Sequence, residues 1–71
     1  MKEKISTAAG EIWRTLREKG EVNLPQLPKI LKEKEVIIYQ ALGWLAREDK
    51  IEYKAKGNKT FISLSESERK A

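Results

Sequence analysis

The chain has 71 residues, 37% of them charged and 39% hydrophobic, with a formal net charge of +4. That is one small globular domain, with no room for a second and no apolar run long enough to span a membrane. It holds neither Cys nor His, which excludes disulfides, thiol chemistry, most zinc sites and every His-dependent triad.

The N-terminal residues MKEKISTAAG lack an apolar signal core, so an unprocessed cytoplasmic protein is expected. Ile5, Ala9, Ile12 and Leu16 then fall on one helical stripe. The stripe predicts a first helix over residues 6–19, with Ser6 as N-cap and Gly20 as the stop after Lys19. Gly10 weakens a helix interior by about 1 kcal/mol against Ala, and a close approach of another helix would justify it.

Val22-Asn23-Leu24 is too short to stand as a strand alone, but it can add to the edge of a later sheet. Pro25 suits a first helical turn, and Leu27, Ile30 and Leu31 supply apolar spacing for a short second helix over residues 25–32. Pro28 fits only if it also lies in that first turn. A charged turn, Lys32 to Glu35, follows.

The third helix is the clearest element. Ile38, Leu42 and Leu45 share one face, with Ala41 beside them, over residues 35–48. Asp49 ends it, since Asp tolerates the left-handed conformation better than most. The period then changes to two in Ile51–Lys56 and again in Thr60–Leu64. Gly57-Asn58 between them reads as a two-residue hairpin turn. That turn pairs Lys56 with Lys59, Lys54 with Phe61, Tyr53 with Ile62 and Ile51 with Leu64. Ile51, Tyr53, Ile62 and Leu64 form the expected core face. Residues 65–71 are polar and read as a frayed tail, so the core of the single domain over residues 1–71 is expected at 5–64.

Helix, short strand, short helix, tight turn, longer helix and hairpin make an α+β fold: a winged helix-turn-helix with three helices, a short strand and a C-terminal β-hairpin wing. The run Leu42-Gly43-Trp44-Leu45-Ala46-Arg47-Glu48-Asp49-Lys50-Ile51 leads from helix into hairpin. Together with Ile12-Trp13 and Gly20-Glu21-Val22, it resembles a small stand-alone winged helix-turn-helix family of bacteria and archaea, of unknown function. The resemblance covers residues 5–64. It implies the fold and DNA binding, with no established activity. The chain departs from the family pattern at Pro28 and at Lys34, where Ser or Thr would cap the third helix.

The residues give two readings of function. With Ile38, Leu42 and Leu45 inward, Val36, Gln40, Gly43 and Arg47 point outward. Gln40 and Arg47 are the good base readers, for adenine and guanine. Charge favours the wing over this helix: residues 50–60 carry four cations against one anion, residues 36–49 one against two. Lys54, Lys56 and Lys59 share a face with Phe61, and Asn58 sits at the tip. Lys56 opposite Lys59 is a like-charge pair, which a phosphate would relieve; a solvated, aggregation-blocking tip is the plainer alternative. Arg14, Arg17 and Lys19 extend the footprint or merely solvate the first helix. The first reading is thus a transcription-regulator-like protein that holds double-stranded DNA. In the second, Val36, Ile37, Tyr39, Gly43 and Trp44 form a partner interface, including that of a homodimer, because exposed apolar patches mark partner surfaces. Trp44 and Tyr39 folded back near Trp13 would instead complete the core.

No enzyme is expected. Glu48 and Asp49 are adjacent and so do not face each other on a helix. Ser6, Ser63, Ser65 and Ser67 have no His partner, and no Gly-rich phosphate loop is present. No cofactor, metal or membrane partner is implied.

Overall fold

A computed structural model describes residues 2–69 of the chain. The first helix, α1, spans Lys2–Lys19. It starts four residues before the expected Ser6 cap, which lies inside it. Strong helix formers at Lys2, Glu3 and Lys4 carry the extra turn, and Glu3 complements the helix dipole. Ala9, Ile12 and Leu16 are buried as the stripe requires, and Ala8 joins them. Gly20 takes φ of 83° and donates its N–H to the Leu16 carbonyl at 2.8 Å, closing the helix in the left-handed conformation.

Strand β1 (Glu21–Asn23) pairs antiparallel with a later strand, as the sequence suggests. Helix α2 (Gln26–Leu31) follows Pro25. Pro28 is its third residue, where a helix needs no N–H donor, so the proline is harmless. Lys32 leaves the helix in the left-handed region at φ 54°. Helix α3 (Glu35–Arg47) begins at Lys34, whose side chain caps nothing. The Lys34 carbonyl instead accepts the N–H groups of Ile37 and Ile38, and the Glu33 carboxylate accepts the Lys34 N–H at 2.9 Å. Asp49, at φ 58°, turns the chain out of α3 as expected.

Strands β2 (Ile51–Lys56) and β3 (Lys59–Leu64) form the wing, and β3 lies central in the order β1-β3-β2. Every predicted hairpin pair is present: Ile51 with Leu64, Tyr53 with Ile62, Lys54 with Phe61, Lys56 with Lys59. Gly57 has φ of 64° and Asn58 does not share the positive sign, the pattern of a type II′ turn.

One core joins the layers. Ile12 and Leu16 of α1, Leu27 of α2, Ile38 and Leu42 of α3, and Ile62 of β3 are all fully buried. Tyr53 departs from expectation, being 49% exposed. The hairpin runs outward past the helices, so of β2 only Ile51 is buried. The polar tail also differs. Glu66–Arg69 form a short helix, α4. Ser65 starts it by accepting the N–H groups of Glu68 and Arg69, while its own N–H bonds the Lys50 carbonyl. Glu68 accepts the Trp13 indole N–H at 2.8 Å, and Arg69 lies 3.7 Å from Glu52. Of the expected frayed tail, 70 and 71 lie outside the described residues.

Candidate nucleic-acid interface

The period of α3 divides its side chains sharply. Ile37, Ile38, Ala41, Leu42 and Leu45 are buried. Val36, Tyr39, Gln40, Gly43, Trp44 and Arg47 are exposed. Gln40 and Arg47 therefore stand on the solvent side of a helix whose position is fixed by its apolar face. Ile37 was expected among the partner-facing residues, yet it is 3% exposed and belongs to the core. Its place next to Ala41 on the helix wheel turns it inward as α3 packs on α1. Tyr39 and Trp44 do not complete the core: they remain 47% and 43% exposed. Trp44 does lie along a groove that it shares with Trp13.

The wing lysines lie on the sheet face away from the core. Alternation along β2 and β3 puts Lys54, Lys56, Lys59 and Phe61 on that face, and the three lysines are exposed. Asn58, also exposed, is the second residue of the turn. The like-charge pair Lys56–Lys59 needs no phosphate for relief. Lys56 Nζ reaches across the face to Glu21 Oε1 of β1 at 2.8 Å, and on its way lies 5.1 Å from the Phe61 ring centroid. The hydrogen bond from Lys56 holds the Glu21 carboxyl below the ordinary carboxylate range. Partial burial works against that lowering, and the charges of Lys56 and Lys54 add to it. Lys59 forms no ion pair among the described residues, and Lys54 touches Glu21 only through its field.

Glu21 and Phe61 were missing from the expected site. Glu21 stands opposite Ser63 on β3, and its partner Lys56 lies 35 residues away. Only the strand order β1-β3-β2 brings the two together. Phe61 was visible through the alternation but had no assigned task; it is the platform under Lys56. On α1, Arg14, Arg17 and Lys19 are exposed, and Arg17 is stacked 5.2 Å from the Trp13 centroid. Among the described residues, no three His, Cys, Asp or Glu side chains gather to hold a metal ion, and no helix is long and apolar enough to cross a membrane.

A helix presented to solvent beside a cationic hairpin can lie along an anionic polymer, helix toward a groove and hairpin toward the backbone. Comparison with known proteins places the fold. Residues 1–64 match the winged helix-turn-helix domain family DUF2582. The uncharacterized protein MJ1608 of Methanocaldococcus jannaschii is 44% identical over 62 residues, covering 83% of this chain and 86% of that protein. Among solved structures, HlyU from Vibrio cholerae N16961 matches with a TM-score of 0.72 at 25% identity over 84% of this chain. The chain spans 64% of the length of HlyU. The protein belongs to the DUF2582 family of winged helix-turn-helix domains.

Proposed function

We propose that this winged helix-turn-helix domain holds double-stranded DNA, in the manner of a small cytoplasmic transcription regulator, and chiefly by its phosphate backbone. It acts as a binding module rather than an enzyme. The observation that carries the reading is the wing: Lys54, Lys56 and Lys59 are all exposed on one sheet face, at the end of a hairpin that runs past the body. Lys54 and Lys59 take phosphates directly, and Asn58 at the tip adds a neutral donor. Lys56 joins them on leaving Glu21, an exchange of one anion for another.

Arg47 and Gln40 supply limited base contact from α3. Two bidentate contacts give roughly 2–6 kcal/mol of discrimination at about 1–3 each. Sequence-specific binders separate from their non-specific background by roughly 4–10 kcal/mol. One copy of this helix therefore reaches only the low end, and backbone attraction dominates.

The exposed outer face of α3 favours a second reading, a protein contact or homodimer through Val36, Tyr39, Gly43 and Trp44. Three large apolar side chains there are 43–51% exposed. Both partners would need the same surface, so one excludes the other.

Chemical-shift mapping with a short duplex of random sequence tests the first reading. Amide signals of Gln40, Arg47, Lys54, Asn58 and Lys59 are expected to move together. Movement confined to residues outside α3 and the wing would remove the DNA reading. Concentration-dependent broadening of the α3 signals without DNA would favour self-association.

A further inference from the structure

We propose that the groove between α1, α3 and α4 binds a small organic cation, aromatic or alkyl-substituted. This site is separate from the wing and does not rest on the DNA reading. The groove is open to solvent and offers about 600 Å³, in the range of roughly 300–1,000 Å³ of small-molecule sites. Both tryptophans of the chain, Trp13 and Trp44, line it, together with Glu48 and Glu68. An indole face carries a negative quadrupole and attracts a cation better than Phe or Tyr does. Trp13 already does so toward Arg17, whose guanidinium carbon lies 5.2 Å from the ring centroid; Arg17 is not part of the groove wall.

Glu68 strengthens the case. Its Oε1 accepts the Trp13 Nε1–H at 2.8 Å, which fixes ring and carboxylate against each other. A carboxylate bonded to the indole N–H also leaves the ring richer in electron density for a cation. Among the described residues Lys50 is the single cation of the wall, and the two carboxylates outnumber it there. This is the reverse of the chain as a whole, where 15 cations stand against 11 anions. An anion would meet Glu48 and Glu68, and a neutral aromatic would gain only apolar contact. A hydrophobic cation gains from both walls.

Gly10 is part of the groove wall. A Cβ there would meet nothing within 4 Å, so the position opens into empty space and not onto the expected neighbouring helix. Alanine would make a firmer helix at this position; glycine leaves the space beside it open.

The test titrates methyltriphenylphosphonium into the full chain and follows indole fluorescence and the two indole N–H signals by NMR. Both tryptophans report on the groove directly. The expected result is a saturable change in which both indole signals move. Triphenylphosphine oxide, neutral and close in shape, should bind roughly ten-fold more weakly. Glu48→Gln should weaken the cation about three-fold or more while leaving the neutral compound unaffected. Gly10→Leu, which suits a helix and adds bulk to the groove wall, should remove binding of both with the circular dichroism spectrum intact. Equal affinity for the two compounds would show a merely apolar crevice and overturn the proposal. So would linear quenching without saturation, or affinity unchanged in both variants.

Discussion

On the outer surface of α3, half of the large side chains that meet solvent are apolar. Val36, Tyr39 and Trp44 are each about half exposed, with Glu35, Gln40 and Arg47 among them. The wing is the reverse: its outer face carries three lysines around one phenylalanine, with Glu21 as a built-in counter-anion. The two regions meet in one small fold but offer different chemistry. The helix has shape and few charges; the wing has charge and little shape. Attraction to a polyanion should therefore reside in the wing. On the proposed reading the helix would add fit, either to a groove or to a protein.

That contrast can be broken most severely from the inside of α3. Ile38 is fully buried, and Ile38→Ala should cost about 2–5 kcal/mol. A chain of this size has only roughly 4–10 kcal/mol in total, so chemical denaturation should show a large loss of midpoint. A loss below about 1 kcal/mol would mean that α3 is not seated by this face.

The wing comes next in size. Lys54→Glu with Lys59→Glu should weaken binding to duplex DNA about 100-fold at low salt, since two phosphate contacts become repulsions. The melting temperature should hardly move, because both lysines are exposed and form no ion pair among the described residues. Retained affinity would shift the contact to α3.

Gly43 separates the two roles of the helix. A Cβ there meets nothing within 4 Å, so Gly43→Ala should stabilise the domain by up to about 1 kcal/mol. If another molecule's backbone or groove approaches at this point, the same change should lower affinity, by less than ten-fold. Stabilisation with no change in any binding would leave α3 without a contact role.

The smallest effect concerns Glu21. Glu21→Gln frees Lys56, and DNA affinity should rise about two-fold. The sign with pH is fixed by the lowered carboxyl. A folded-state pKa below the unfolded one stabilises the protein above the unfolded value, and that contribution is lost as pH falls through the folded value. Melting temperatures of the two proteins should therefore differ most near neutrality and converge in acid. A difference that grows in acid would contradict the Lys56–Glu21 pairing.

Much of this architecture can be read along the chain because its signals are local. The alternation in Ile51–Lys56 and Thr60–Leu64, with Gly57-Asn58 between, fixes the hairpin register residue by residue. The stripe Ile38, Leu42, Leu45 fixes which side of α3 faces out, and hence the exposure of Gln40 and Arg47. What escapes is set by distant partners. Trp13 and Glu68 are 55 residues apart and Lys56 and Glu21 are 35 apart, so neither the α4 turn nor the wing's counter-anion has a local signature. Ile37 and Tyr53 fail for a related reason. Pattern predicts which face a residue takes, but the reach of the neighbouring elements decides whether that face is covered: Ile37 is buried in the core, whereas Tyr53 at the outer part of the wing is half exposed.

The most direct test of the wing as the seat of attraction is a salt titration of binding to random duplex DNA, followed by fluorescence anisotropy. Three phosphate contacts predict a log–log slope of about −3, with micromolar binding at low salt. No binding at low salt, or binding with a slope near zero, would contradict the account and leave the apolar face of α3 as the working surface.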